Sequence, residues 1–406
     1  MRAVTRPLAA VTDATPALED VARGDGALFV REGVGVAGRG IAARVPAASA
    51  TAWLAALRHD DGIGHAVAGP VAIGALPFAD PASGTLAVPA CVVGTAPDGT
   101  RWITAIGEDP DLERLAAEAV APADAATGDA LDARYSVAPG TPVADYLAAV
   151  AAARDEVRAG RLAKVVVARD VVVRASAAID VHAVLRRLRA AFATSHRYSV
   201  DGLVGASPEL LVSVFGRDVA SHPLAGTAPR TGDPDTDARL ARELVASTKD
   251  QIEHRVVIEM VHDTLLPWCS YLDWEPEPSI VTVANVQHLG TRVAGVLSDP
   301  PAPVVDLAIA LCPTPALGGS PREAALRLIA RLESRPRGRY GGAVGWVDGR
   351  GQGAFAVTIR CAELSDDRRE ARLFAGGGIV ADSDPHAELA ETRAKFQAML
   401  AAIVRP

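Results

Sequence analysis

Several features that mark large protein classes are missing from this chain. Its 406 residues hold only four cysteines, Cys91, Cys269, Cys312 and Cys361, with no CxxC spacing among them. That argues against a disulfide framework and a thiolate zinc site, and it suits a reducing compartment. Positive charge is not in excess: the formal net charge is −8. Neither a nucleic acid nor an anionic membrane is therefore an expected partner. No apolar run reaches the ~20 residues of a membrane span. The opening "MRAVTRPLAAVTDATPALED" has no apolar core of an export signal and is interrupted by Asp13. A cytoplasmic protein is expected. There is no internal repeat, no P-loop and no kinase-type glycine loop, which sets aside a phosphoryl-transfer enzyme. What is present is an ordinary globular composition, 49% hydrophobic and 22% charged, enough for one large domain or about two.

Turn signals divide the chain. Residues 1–135 mix short apolar strands with turns such as "APDGTRW", where Asp98-Gly99 suits a hairpin. The Pro/Gly stretch "SVAPGTPVADY" marks a boundary, so 1–135 reads as the N-terminal part of a β-rich core and 136–406 as a second region. The two are expected to form one compact unit. "VADYLAAVAAARDEVRAG" is an amphipathic helix stopped by Gly160. "DARLARELVASTKDQIEHRVVIEMVHDTLL" reads as one long helix, and "RYGGAVGWVDGRGQGAFAVTIRCAEL" as a hairpin. "DPHAELAETRAKFQAMLAAIV" closes the chain as a helix with Asp384 as N-cap and Pro385 at its first position. Strands and helices do not alternate, so the expectation is an α+β fold with large mixed sheets.

One strand carries a question. "GRLAKVVVARDVVV" is a run of Val and Ala with Lys164 inside it. Side chains alternate along a strand, so Lys164, Val166 and Ala168 share a face. Desolvation there lowers an amine's pKa and suits it to general-base work. The same lysine also fits a strand-start residue reaching to water. In "DGLVGASPELLVSV", Glu209 sits in a turn between two apolar arms. There it is either a carboxyl with a raised pKa or a solvated turn residue. Asp250 and Glu253 share a face of one helix; Glu388, Glu391 and Lys395 form one stripe on the last. Facing each other, the two helices would offer an all-oxygen site for a hard cation such as Mg²⁺; apart, they are solvated faces. Gly376, Gly377 and Gly378 let a backbone approach a ligand, and Gly226-Thr227 offers donors or a strand end. Arg360, in an otherwise apolar strand, needs an anionic partner from the protein or a substrate.

In this order the segments "AKVVVAR", "LVGASPELL", "HPLAGTAPR", "STKDQIEH", "NVQHLGTRVAG", "LCPTPALGGSPREAAL", "RYGGAVGWVDGRG", "VTIRCAEL" and "AGGGIVADSDPHAELAETRAK" resemble the chorismate-utilising enzymes. That family holds isochorismate, salicylate, anthranilate and aminodeoxychorismate synthases. The resemblance implies an anthranilate synthase component I-like fold, two packed β-sheets surrounded by helices, with 136–406 as the chorismate-binding catalytic region. It implies that Lys164 activates water and Glu209 is the general acid. It implies that Glu253 and Glu391 bind Mg²⁺, with Asp250 and Glu388 holding metal-bound water. Gly226, Thr227, His288, Ala316, Tyr340, Arg360, Gly376, Gly377, Gly378 and Lys395 fall at substrate positions. A lysine at this strand position goes with water rather than ammonia as nucleophile, so no glutaminase partner is implied. The "PTPA" run resembles the isochorismate branch, whose product feeds menaquinone or siderophore synthesis. The alternatives are the salicylate branch, which also eliminates pyruvate, and a non-catalytic chorismate-binding homologue. Cys312 and Ala354 depart from the isochorismate pattern, where His and Glu are frequent.

Overall fold

A computed structural model describes residues 1–121, 133–283 and 286–404. Among them, strands form a 13-stranded, a nine-stranded and a three-stranded sheet. The large sheet runs Tyr135–Pro139, Lys164–Ala175, Glu370–Ile379, Cys361–Leu364, Leu203–Ser207, His196–Val200, Ala27–Arg31 and on through the N-terminal strands to Arg58–Asp61; Gly319–Ser320 pairs with the lysine strand. The second sheet has Leu210–Phe215, Gly353–Val357, Ala343–Asp348 and Val71–Leu76 at its centre. The 135/136 boundary separates no sheet, because Ala27–Arg31 pairs antiparallel with His196–Val200.

The period-2 pattern explains the layers. Phe29, Val36, Trp102, Tyr198 and Phe374 join Leu76, Val212, Val344 and Phe355 in the core between the sheets. Their strand neighbours Leu28, Ala37, Ile103 and Leu373 face the other way. There they meet Leu185 and Leu188 of helix Val181–Ala191 and Phe396, Met399 and Ile403 of helix Pro385–Val404. One face of the large sheet thus packs on a sheet and the other on helices, as an α+β arrangement of two packed sheets requires.

Most local signals match. The Asp98-Gly99 turn joins Cys91–Thr95 to Arg101–Gly107, with Gly99 at φ +87°. Helix Val143–Arg158 ends before Gly160. Asp384 caps the last helix by accepting from the His386 and Ala387 amides at 3.0 and 2.9 Å. The expected long helix is instead two, Pro234–Ala246 and Thr248–Leu265. Ser247 between them is extended, and its Oγ accepts from Asp250 N at 3.2 Å, an N-cap that starts a new helix. Among the described residues no helix is long and apolar enough to cross a membrane.

Candidate active site

Two short corners build the site. "LVGA" and "LLVSV" do not pair as a hairpin. Leu203–Ser207 belongs to the large sheet and Leu210–Phe215 to the second, so Pro208-Glu209 is where the chain crosses between layers. The expected strand through Arg360 is likewise broken. The chain leaves the second sheet at Val357 and enters the large one at Cys361. Arg360 between them has φ +52°, a left-handed conformation uncommon for a side-chain-bearing residue. Both corners open on one cleft between the sheets.

Thirteen of the residues singled out from the sequence line this cleft: Lys164, Glu209, Gly226, Thr227, Glu253, His288, Ala316, Tyr340, Arg360, Gly376, Gly378, Glu391 and Lys395. Glu209 is fully buried, and burial pushes its carboxyl up to about 8, against the opposing pull of the Leu224 amide and of Lys164. It is therefore protonated at neutral pH, as a proton donor must be. Lys164, 6% exposed, donates from Nζ to Glu253 Oε1. Lys395 Nζ lies 2.6 Å from Glu391 Oε1 and 2.8 Å from the Gly376 carbonyl. Burial opposes ionisation of Glu391, but the ammonium of Lys395 outweighs it and holds the carboxyl below its ordinary value.

His288 is buried, and desolvation, with repulsion from Arg360, pulls it down to about 3. Its Nδ1 lies 3.1 Å from the Gly226 carbonyl. A carbonyl only accepts, so Nδ1 carries the proton and the ring is a neutral tautomer. Gly226 itself has φ +72°, and a Cβ there would meet Asp250 Cβ at 3.2 Å. Arg360 is 8% exposed, and among the described residues no carboxylate lies within ion-pair distance of it. Its Nη1 donates to the Lys395 carbonyl at 3.4 Å and Glu391 attracts it from beyond contact distance, so the guanidinium facing the cleft has no direct carboxylate partner and is suited to an anion from outside.

Three expected positions are not on the cleft wall. Along the strand Glu370–Ile379, Gly376 and Gly378 face the cleft and Gly377 the opposite side, because successive residues alternate. A Cβ on Gly377 would stand 2.3 Å from Glu388 Oε2, so Gly377 and Glu388 approach each other behind the strand. Glu388 Oε1 accepts from Ser383 Oγ at 2.9 Å. Asp250 lies against Gly226 rather than in the cleft. Among the described residues no three acidic, histidine or cysteine side chains come together as a cation cage. Neither departing residue lines the cleft. Cys312 is buried, which pushes its thiol up to about 12 and leaves it inert, and Ala354 lines a separate apolar cavity with Trp102 and Trp346.

Sequence reasoning missed the support behind the cleft. Arg337 is 4% exposed and donates to the carbonyls of Leu317 at 2.7 Å and Val166 at 2.8 Å, both cleft residues. Glu333 accepts from Arg337 at 2.6 and 2.9 Å, and from the Ala168 amide at 2.8 Å. Their i, i+4 spacing was the available signal. A second overlooked signal is lysine itself. The 41 basic residues include only three lysines, at 164, 249 and 395, and Lys164 and Lys395 both line this cleft.

A cleft between two sheets, lined by a buried acid, two amines and a buried guanidinium, suits a small anionic substrate. The family model described as chorismate binding enzyme matches residues 90–404. The chain belongs to that family. It is similar to isochorismate synthase DhbC of Bacillus subtilis (strain 168), 40% identical over 280 residues that cover 66% of this chain and 70% of that protein. It is 34% identical over 364 residues to isochorismate synthase MenF of the same organism, covering 84% and 76%. The solved structure of MenF, the menaquinone-specific isochorismate synthase from Escherichia coli, superposes with a TM-score of 0.83 at 25% identity, covering 99% of this chain and 94% of that one.

Proposed function

We propose that the chain is an isochorismate synthase, an isomerase that converts chorismate to isochorismate in the cytoplasm. The observation that carries this reading is Glu209, buried and protonated in the same cleft that Lys164 lines. Water adds at C2 of the ring, the double bonds shift, and the C4 hydroxyl leaves as water. Lys164, once its ammonium has given a proton to solvent, takes the proton of the attacking water, and Glu209 gives its proton to the departing hydroxyl. One proton is taken up and one delivered, so the pair returns to its starting state once the two exchange a proton through solvent. Arg360 takes one substrate carboxylate, and the backbone at Gly376 and Gly378 lets the ring lie close to the strand. An amine that activates water needs no ammonia-supplying subunit.

The donor set also fits a divalent cation. Glu253 and Glu391 face one cleft, and each already carries a cation, the ammonium of a lysine. Mg²⁺ held by these two carboxylates would clamp the ring carboxylate and offset its repulsion from the glutamates. Asp250 and Glu388 lie outside the cleft wall and are not direct ligands in this reading; any role on the cation would run through bound water.

The test is to incubate purified protein with chorismate and Mg²⁺, with and without EDTA, and resolve the products by chromatography. Isochorismate is expected, and it should be lost with EDTA and in Lys164→Ala. Salicylate with pyruvate, or chorismate binding without turnover, would overturn the assignment.

A further inference from the structure

Both carboxylates offered to the cation are occupied from within the chain. Glu253 is held by Lys164, and Glu391 by Lys395 at 2.6 Å. Residue type matters here. Where this protein ties a carboxylate permanently it uses arginine: Arg39 on Asp25 and Arg44 on Asp201 at the surface, Arg337 on Glu333 inside. Those contacts are two-pronged, with both oxygens engaged by a planar fork. In a chain with three lysines among 41 basic residues, two sit on the carboxylates of this cleft. An ammonium is a compact point charge that holds a carboxylate through single donors. It resembles a small metal cation in charge distribution and is far easier to exchange for one than a guanidinium.

We propose that Lys164 and Lys395 are internal counter-cations, which hold Glu253 and Glu391 in the metal-free protein and are displaced when a divalent cation takes the two carboxylates. This rests on the cation reading above. The consequence is a coupling. The event that loads the cation frees Lys164, which can then give its extra proton to solvent and serve as a base for the attacking water, and frees Lys395 for the substrate anion, so both amines become available only in a loaded site.

The experiment is calorimetric titration of the full chain with Mg²⁺ in the absence of chorismate. Lys395→Met removes the competitor and should tighten Mg²⁺ roughly tenfold, the scale of one hydrogen bond to a charged group. Lys395→Arg keeps the charge but grips both oxygens, and should weaken Mg²⁺ by a similar factor. Lys164→Met should tighten it as Lys395→Met does, so the inference does not hang on one variant folding. Arg255→Met removes an exposed charge two residues from Glu253 and should leave the affinity unchanged. Equal affinity in wild type, Lys395→Met and Lys395→Arg would overturn the competition while leaving the cation reading intact. So would tightening matched by Arg255→Met with Lys395→Arg behaving as wild type, since only the general field would then be at work. Absence of Mg²⁺ binding in every protein would remove the cation reading and this inference together.

Discussion

Glu209 and Arg360 are held by the same pair of chain crossings. The Glu209 carbonyl accepts from Val357 N at 3.1 Å, and the Arg360 carbonyl accepts from Ala206 N at 3.0 Å. Each corner is thus tied to the strand end of the other. The buried carboxyl and the guanidinium face one cleft because the chain passes twice, in opposite directions, between two layers.

The first prediction concerns pH. In the proposed reaction Glu209 acts in its protonated form, which declines as pH rises through about 8. Activity is therefore expected to fall about tenfold per pH unit above that point. Stability follows the same group. Its folded value lies above its ordinary 4.5, so the folded state holds the extra proton between 4.5 and about 8. The associated stability is complete below 4.5 and is lost as pH rises through 8. Glu209→Gln cannot ionise, so its melting temperature should depend less on pH between 5 and 9 than that of wild type, as differential scanning calorimetry would report. Equal pH dependence in the two proteins would remove burial of Glu209 as the cause.

Arg360 invites a substitution that separates binding from folding. Glycine accepts φ +52° without strain. Arg360→Gly should leave the melting temperature within a few degrees of wild type and raise KM for chorismate by roughly 100-fold, the loss of a bidentate charge-assisted pair. An unchanged KM would mean that the substrate carboxylate goes elsewhere.

Gly378 leaves room for Lys164, the proposed base. A Cβ there would stand 2.5 Å from Lys164 Cε and 3.0 Å from Nζ. The lysine is flexible and can move aside, so Gly378→Ala should unfold at nearly the wild-type denaturant concentration. A displaced base costs rate, and kcat should drop about 100-fold. Retained kcat would show that Lys164 works from another position.

The Arg337–Glu333 pair should reveal itself by asymmetry. Arg337→Met leaves a buried carboxylate unpaired and should cost about 3–5 kcal/mol in urea unfolding. Adding Glu333→Gln should recover part of that loss. If the double variant is as unstable as the sum of the singles, the pair is not the source of the stabilisation.

The residues of the site were largely legible because its chemistry is unusual for its surroundings. A lysine in a valine strand, an arginine in an apolar run and glutamates at helical spacing all conflict with their local context, and conflict of that kind is visible in one dimension. What was not legible is direction. The triple glycine is one motif in the sequence, yet the pleat sends Gly376 and Gly378 into the cleft and Gly377 against Glu388. Asp250 shares a helix face with Glu253, yet only Glu253 reaches the cleft wall. Ser247 reads as one more residue of a long helix until its hydroxyl is seen to start a second one.

By itself the sequence determined most of the elements, the α+β class and the family, since alternation, caps and turn residues act over a few positions. It also determined which side chains carry charge where charge is costly. The tertiary structure alone decided which of them meet. Lys164 and Glu253 are 89 residues apart, and no local rule joins a strand of the large sheet to the helix beyond the crossing. That contact exists because two sheets pack face to face and leave the mouth between them to be closed by helices. The same packing decided the state of Glu209. Its burial comes from both layers at once, and desolvation by a distant surface has no signature in neighbouring residues.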